Sequence, residues 1–311
     1  MIDKRFFRAY SNHQTCRIVV DSCSDITCEI AQKLGVDIIE FPYVLDGKDC
    51  IDDQFESVSS QEFYGLMRNG AKVLTSAIPT GHFVEIFNSM AEAGIPTLYL
   101  SFTAGLSRSV DDALKAAAIV REDHPGFEIE VLDNRLPSLS ALLLAMEACA
   151  LRDRGLTMRE IAQWAQTAPN YVHGYFTLDS LNWLAAGGRV PKSAAKLSTL
   201  LDMKANLAFD LDGALTLTGM SRGRRKSLKN LAATLENNYD ASRHGPIAIV
   251  DAGCADDADY LEEMIRAELK DTCPQIVRLI LDPTIGAHVG PGMVAISFWG
   301  IDRALIQLGK R

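Results

Sequence analysis

The chain has 311 residues, 48% of them apolar, and a net charge of −9. This length allows two domains with separate cores, and the apolar content excludes a disordered chain. The acidic balance argues against a nucleic-acid-binding protein, since phosphate contacts require clustered lysine and arginine side chains.

The first half of the chain alternates between strand and helix patterns. In chain order, the predicted elements are a buried strand at 16–20, a short helix ending at Gly35, a strand at 36–41, a tight turn at Asp46-Gly47, a helix opened by the capping box Ser59–Glu62, an amphipathic helix at 80–93, a strand at 97–101, a helix at 107–120, a strand at 128–132 and a helix at 139–154. Strands that alternate with helices indicate βαβ units, so we expect a parallel sheet with helices on both faces.

The pattern changes near residue 170. The predicted strands that follow lie at 171–178, at 203–209 and 214–220 with a hairpin turn at Asp212-Gly213, at 247–251, at 276–281 and at 294–299. Because hairpins here mix with crossovers, we expect a mixed sheet. The sequence thus predicts an α/β protein of two domains, residues 1–170 and 171–311.

Features of the whole chain favour a cytoplasmic location. Its seven cysteines include no CxxC pair and no spacing typical of zinc, which indicates reduced thiols and no metal site. The N-terminal segment lacks the apolar stretch of a signal peptide, and no apolar run approaches the ~18 residues of a membrane span.

Hydroxyl side chains gather at three strand ends or helix starts, namely Asp21-Ser22, Thr75-Ser76 and Ser107-x-Ser109. In open α/β sheets, ligands bind beyond the carboxyl ends of the strands. Hydroxyl groups beside the free N–H groups of a helix start also suit an anion. Each of these residues is equally typical of an ordinary helix cap, so the pattern alone leaves both interpretations open.

Two glycine-rich segments and one basic cluster stand out in the second half. Three glycines and a proline surround His288 in the segment 286–292, which predicts a tight loop with a close backbone approach, although a purely structural histidine is the alternative. Gly187-Gly188 predicts an exposed turn that presents Arg189. Residues 222–226 form a basic cluster that suits a solvated helix start or an acidic ligand or partner. The sequence contains no nucleophile elbow, Walker A loop, HExxH or GxGxxG.

Taken in this order, the motifs resemble those of the DegV family of bacterial fatty-acid-binding proteins. The resemblance covers nearly the whole chain after the first dozen residues. Its motifs are His-Val-Gly-Pro-Gly at 288–292, Asp-Ser-x-Ser-Asp at 21–25, Leu-Thr-Ser-x-x-Pro at 74–79, Gly-Leu-Ser at 105–107, the segment 179–189 ending in Gly-Gly-Arg, and Arg222 with Lys226.

The resemblance implies a long-chain fatty acid held between two α/β domains, with no metal and no cofactor. It also implies a partner, a fatty-acid kinase that converts the carboxylate to an acyl phosphate for phospholipid synthesis while the acid stays bound. By position, the implied carboxylate end consists of Thr75, Ser76, Ser107, Ser109, His288 and Gly290. Arg189 and Arg222 are implied near the ligand mouth and the partner surface, and a transient contact with a membrane surface is left open.

One departure lies beside the implied carboxylate end. Arg108 stands where the family usually has a glycine, so the geometry of this loop is left open. The favoured hypothesis is a lipid-binding substrate carrier rather than an enzyme. Two alternatives remain: a stand-alone hydrolase that uses Ser107 with His288, and a binder of another small organic acid in the same cleft.

Overall fold

The structure is a computed structural model that describes residues 7–10, 15–190 and 203–307. Most of the N-terminal segment that we compared with a signal peptide, and Pro191 after the Arg189 turn, lie outside those residues. The described strands are β1 (Phe7–Arg8), β2 (Arg17–Asp21), β3 (Asp37–Ile39), β4 (Pro42–Leu45), β5 (Lys48–Ile51), β6 (Val73–Thr75), β7 (Thr97–Ser101), β8 (Ile129–Asp133), β9 (Val172–Thr177), β10 (Met203–Phe209), β11 (Leu215–Arg222), β12 (Ile247–Asp251), β13 (Ile276–Ile280) and β14 (Val294–Trp299).

Helices connect most of these strands. The described α-helices are α1 (Cys28–Leu34), α2 (Ser60–Arg68), α3 (Thr80–Ala93), α4 (Ser109–Asp123), α5 (Ser138–Asp153), α6 (Met158–Thr167), α7 (Asn182–Ala186), α8 (Arg224–Asn238), α9 (Ala255–Leu269), α10 (Pro283–Val289) and α11 (Arg303–Gln307). In the part of the chain that the structure describes, no helix combines the length and the apolar character needed to cross a bilayer. The alternation predicted for the first half is confirmed in its strands and helices.

The first sheet has the order β1-β3-β2-β7-β8. Neighbouring strands run parallel except β1, which pairs antiparallel with β3. All five residues of β2 are buried, because helices cover both faces of a parallel sheet. The predicted parallel sheet is therefore confirmed, with one antiparallel edge strand in addition.

The second sheet has the order β11-β10-β9-β14-β12-β13 and is mixed, as expected. Its pairs are antiparallel except for the parallel pair β12–β13. The hairpin between β10 and β11 turns through Gly213, whose φ of 75° suits glycine. The tip of this hairpin reaches the first half of the chain, where Thr103 Oγ1 donates to the Gly213 carbonyl at 3.2 Å.

A third, three-stranded antiparallel sheet of order β5-β4-β6 was not predicted. The tight turn that joins β4 to β5 was predicted, and both of its residues, Asp46 and Gly47, have positive φ angles of 49° and 81°. The strand β6 has only three residues, too few for a period-two pattern to show. This small sheet matters because Thr75 is the last residue of β6.

Helix α5 lies between the two large sheets. Residues 138–145 are buried without a break, because one side of the helix packs on β2 and another on β9 and β14. A helix covered all round needs apolar residues on all faces, which explains its weak amphipathic pattern. One buried apolar cluster therefore includes Val20, Leu142 and Phe176 from both halves of the chain. The domain boundary near residue 170 stays a prediction.

Candidate ligand-binding cavity

A cavity of about 240 Å³ lies between the two halves of the chain. Its wall includes residues that follow three parallel strands: Cys23 after β2, Phe102 after β7 and Pro137 after β8. This is the carboxyl edge of the first sheet, where ligands of open α/β sheets bind. The opposite wall comes from the second sheet and includes Phe176 and Ala295. The cavity is larger than the ~150 Å³ apolar cavity known to take up benzene.

Thr75 and His288 meet at one end of this cavity. The Thr75 Oγ1 atom lies 2.8 Å from His288 Nε2, although 213 residues separate the two in sequence. The end of β6 holds the threonine and the last turn of α10 holds the histidine. The two residues that the sequence singled out separately thus form one hydrogen-bonded pair on the cavity wall.

The tight loop predicted around His288 is wrong for residues 286–289, which are helical. Asp282 caps α10 by accepting a hydrogen bond from the Ile285 N–H at 2.7 Å, and Pro283 occupies the first turn. Both are standard helix-start signals. The glycines of segment 286–292 led us to predict a loop instead. The tight segment begins only at Gly290, with φ 74°, where a Cβ would lie 2.1 Å from Trp183 Cδ1. Gly290 therefore allows close packing beside the site but does not line the cavity.

His288 is a neutral imidazole at neutral pH. Burial, together with the nearby positive charge of Arg189, lowers the pKa of His288 to about 4. Among the described residues, no group hydrogen-bonds to its Nδ1 atom, which is buried. Gly187 lies against this atom, since a Cβ there would come within 2.4 Å of Nδ1. A neutral imidazole still has one N–H group to donate, so it suits an anionic ligand without a fixed charge of its own.

The two predicted serines near α4 differ in position. Ser107 lines the cavity, and its Oγ lies 3.0 Å from Ser109 Oγ. Ser107 Oγ also accepts a hydrogen bond from the Ser109 N–H at 3.2 Å. Ser109 is buried behind it as the first residue of α4. Ser76 is exposed on the rim of the cavity, next to Thr75.

The two predicted arginines lie apart. Arg189 is on the rim of the cavity, where its Nε donates to the Leu106 carbonyl at 3.4 Å. Arg222 is exposed at the end of β11 and does not line the cavity. It lies with Arg225 and Lys226 in the basic cluster, whereas Arg224 is occupied by an ion pair with Asp257 at 2.8 Å. The structure therefore brings Thr75, Ser76, Ser107, His288 and Arg189 to one end of the cavity.

The predicted Asp21-Ser22 cluster serves the fold instead of the cavity. Asp21 is buried and accepts hydrogen bonds from the Phe102 N–H at 2.6 Å and from the Tyr99 hydroxyl at 3.2 Å. Ser22 Oγ accepts from the Phe41 N–H at 3.1 Å. Burial raises the pKa of Asp21 to about 7. These bonds link neighbouring strands of the first sheet near their carboxyl ends. Neither residue lines the cavity.

A cluster of three buried carboxyl groups was not predicted from the sequence. Asp25, Asp52 and Asp282 are almost fully buried, and the charges of Asp52 and Asp25 both act on Asp282. The Asp282 N–H donates to Asp25 Oδ1 at 3.0 Å, and the Thr284 hydroxyl donates to Asp52 Oδ2 at 2.6 Å. Burial, followed by the charge of Asp52, raises the pKa of Asp282 well above its usual range. Repulsion between neighbouring buried carboxyl groups favours their protonated forms.

Within residues 7–10, 15–190 and 203–307, no group of three or more histidine, cysteine, aspartate or glutamate side chains is arranged to hold a metal ion.

The comparisons with known proteins agree with this architecture. Residues 15–300 match the model of the DegV family, described as uncharacterised proteins. A DegV domain-containing protein of Clostridium perfringens is 31% identical over 285 residues, which cover 91% of this chain and 97% of that protein. Two solved structures share the fold. One is a fatty-acid-binding DegV family protein from Thermus thermophilus, with a TM-score of 0.80, 22% identity and coverage of 93% of this chain and 100% of that one.

The other is a stearic-acid-binding protein from Eubacterium ventriosum, with a TM-score of 0.81, 22% identity and coverage of 93% of this chain and 100% of that one.

Proposed function

Because this chain belongs to the DegV family, we propose that it binds one long-chain fatty acid and presents the carboxylate to a separate fatty-acid kinase. The observation that carries the proposal is the cavity itself, which is mainly apolar and ends at the Thr75–His288 pair. A fatty acid has the same division into a long apolar part and one small polar end.

The polar end of the cavity can hold a carboxylate by hydrogen bonds alone. Neutral His288 can donate its Nε2–H to Thr75 Oγ1, which leaves the hydroxyl groups of Thr75 and Ser107 as the donors for the ligand. A hydrogen bond to a charged group contributes about 1.5–3 kcal/mol. Since the imidazole stays neutral, a bound acid keeps its own charge, and its oxygen stays nucleophilic.

The apolar wall accounts for affinity. Burial of a methylene group contributes about 0.8 kcal/mol, so ~14 methylenes give ~11 kcal/mol before the cost of association. That cost is estimated at about 4–15 kcal/mol for lost freedom of motion, and hydrogen bonds at the head group add to the gain. Micromolar or tighter binding is therefore a reasonable expectation.

The rim suits presentation to a partner. Thr75 and Ser107 are only partly buried, and Arg189 is exposed beside them. In the kinase step, a carboxylate oxygen attacks the terminal phosphorus of a nucleoside triphosphate held by the partner, and the diphosphate leaves with that partner. Arg189 and the basic cluster around Arg222 contact the kinase, since they are positive surfaces on a chain of net charge −9. The product serves phospholipid synthesis in the cytoplasm, during transient contact with a membrane surface.

The geometry does not favour the hydrolase alternative. A serine hydrolase needs a hydrogen bond from the nucleophile to the base and an acid that orients the base. Here Ser107 is bonded to Ser109, His288 is bonded to Thr75, and none of the described carboxylates bonds to His288 Nδ1. A small organic acid is the other alternative, and it leaves the apolar wall around Phe176 unused.

Solvent extraction of the gently purified protein, followed by mass spectrometry, tests the proposal. We expect a long-chain fatty acid in about equimolar amount. A different small acid in the extract would support the second alternative. If the extract contains no lipid and the protein also fails to take up added oleate or palmitate, the proposed function is wrong.

A further inference from the structure

A pair of buried serine hydroxyls lies on the cavity wall, away from the carboxylate end. Ser140 of α5 and Ser297 of β14 both line the cavity, are 2% and 1% exposed, and bring their Oγ atoms to 2.9 Å. One wall runs along β14 through alternate residues, from Met293 through Ala295 to Ser297. Met293 lies close in sequence to His288, and four residues of extended chain span about 13 Å. The serine pair therefore faces a part of the ligand well beyond its head group.

The hydrogen bonds of this pair leave an acceptor available. Ser297 Oγ donates to the His173 carbonyl at 2.6 Å, so the hydrogen between the two serines comes from Ser140. A serine hydroxyl has one donor and two acceptor lone pairs. Among residues 7–10, 15–190 and 203–307, no N–H or hydroxyl group donates to Ser140 Oγ. Ser140 thus offers a hydrogen-bond acceptor on the cavity wall.

Gly174, inside β9, makes room for the Ser140 hydroxyl. It pairs with Ser297 across the sheet, and a Cβ at this position would lie 2.4 Å from Ser140 Oγ. A glycine inside a strand weakens the strand, and it often marks a place where a ligand or another part of the protein approaches closely. A larger residue here would displace the Ser140 hydroxyl from the cavity wall.

An unsubstituted alkyl chain makes no use of this acceptor. Nearby wall residues such as Leu139, Phe176 and Ala295 are apolar and buried, and they supply the contacts that methylene groups need. A hydroxyl group on the chain would lose its hydrogen bonds to water beside such a wall, which is unfavourable unless a protein group replaces them. Ser140 Oγ supplies the replacement, since it can accept the hydrogen of a ligand hydroxyl.

We propose that the Ser140–Ser297 pair selects a hydroxylated long-chain fatty acid, whose chain hydroxyl donates to Ser140 Oγ. This inference rests on the proposed function, because it names the class of fatty acid that the same cavity prefers. The carboxylate lies at the Thr75–His288 end, and the second polar contact forms deeper in the cavity. The distance between these two points determines which position of the chain hydroxyl is accepted.

Palmitate and three hydroxypalmitates test the inference. The isomers carry the hydroxyl beside the carboxylate, at mid-chain or at the chain end, and their affinities are measured by competition against a fluorescent fatty acid. At least one of the two distal isomers should bind the wild-type protein as tightly as palmitate or more tightly. Ser140→Ala should weaken that isomer at least about fivefold, because its buried hydroxyl loses its partner. The affinity for palmitate should stay within about twofold of wild type.

A serine outside the cavity provides the matched control. Ser89→Ala removes a hydroxyl that donates to the Ile86 carbonyl within α3, and it should change no affinity. Weaker binding of both distal isomers than of palmitate by the wild type would overturn the inference. So would a Ser140→Ala variant that weakens palmitate and the preferred isomer equally, or weakens neither. In each of these cases normal palmitate binding leaves the proposed function standing, whereas wild-type protein that binds none of the four acids would overturn both.

Discussion

Two polar regions of the molecule differ in almost every physical respect. At the mouth, Thr75, Ser107 and His288 are partly exposed, neutral and only partly satisfied by one another. Elsewhere in the fold, Asp25, Asp52 and Asp282 are buried and acidic, and Asp25 and Asp52 accept hydrogen bonds from nearby hydroxyl and N–H groups. The first region keeps donors available for a ligand, whereas the second uses its groups within the fold.

The comparison teaches that a motif rich in polar residues does not by itself locate a site. Asp-Ser-x-Ser-Asp at 21–25 and Leu-Thr-Ser at 74–76 look equally functional in the sequence. The structure separates them by burial and by partners: the Asp21 and Asp25 carboxyl groups are enclosed, while Thr75 opens into the cavity. The following predictions test that separation, from the largest expected effect to the smallest.

The largest effect is expected from removing one member of the carboxyl cluster. Asp25→Ala leaves the Asp282 N–H and the Ser138 hydroxyl without their acceptor. An unsatisfied buried donor costs about 1–3 kcal/mol, so the free energy of unfolding should fall by about 3 kcal/mol. Urea unfolding measures it. Asp25→Asn keeps one acceptor oxygen and should cost less. A change in Asp25→Ala of under about 0.5 kcal/mol, the size of an ordinary surface substitution, would contradict a structural role.

The two regions should respond to pH in opposite directions. Burial raises the pKa of Asp52 to about 6, so the folded state binds more protons than the unfolded state and stability falls as the pH rises from about 4 to 6. Burial lowers the pKa of His288 to about 4, so the unfolded state binds more protons and stability falls as the pH drops from 6.5 to 4. Each pKa unit corresponds to about 1.4 kcal/mol.

Unfolding free energies of the wild type, Asp52→Asn and His288→Gln, measured across this pH range, separate the two contributions. Asp52→Asn should show a smaller decline at rising pH, and His288→Gln should show a smaller decline at falling pH. The same pH profile in all three proteins would refute the opposite signs.

At the mouth, the expected effect is on binding. Thr75→Ala, Ser107→Ala and His288→Ala should each weaken fatty-acid binding about tenfold, since the first two lose a hydrogen bond to a charged group and the third no longer orients the Thr75 hydroxyl. The fold should stay intact, as circular dichroism can check. Titration with a fluorescent fatty acid measures the affinity. Thr167→Ala is a matched control, because it removes an exposed threonine that bonds only within its own helix. Wild-type affinity in all three variants would show that the carboxylate binds elsewhere.

The smallest effect is expected at the outer surface. Arg189→Ala and Arg222→Ala should slow acyl-phosphate formation with the cognate kinase, because charges at an interface rim mainly change the association rate. The difference from wild type should depend on salt, while fatty-acid affinity stays near wild type. Both quantities are measured on the same variants. Lost lipid binding combined with normal turnover at saturating lipid would contradict the partner assignment.

Much of the fold follows from the sequence, because β2, β7 and β14 are apolar runs bounded by turn signals. The predictions of a parallel sheet and a mixed sheet are confirmed. The three-stranded sheet was not predicted, since β6 is too short to show the alternating pattern of a strand. The helix before Gly290 was not predicted either, although Asp282-Pro283 is a helix-start signal.

The site was only partly predictable for a different reason. The resemblance pointed to Thr75, Ser107 and His288, but their proximity depends on long-range packing of β6 against α10. Arg222 shows the opposite case: the resemblance implied a position near the ligand mouth, and the structure puts it outside the cavity. Local sequence cannot distinguish a strand end that faces a cavity from one that faces solvent.

The position of β14 has a consequence for synthesis of the protein. Although it is the last strand described, β14 lies in the middle of the second sheet, between β9 and β12, and packs on α5. A ribosome adds about 5–20 residues per second. The strands β9 and β12 are therefore synthesised several seconds before β14, which pairs with both. During that interval the apolar face of α5 lacks its cover. Nascent chains that stop before Val294 should therefore bind chaperones, and they should release them only when the final strand is inserted.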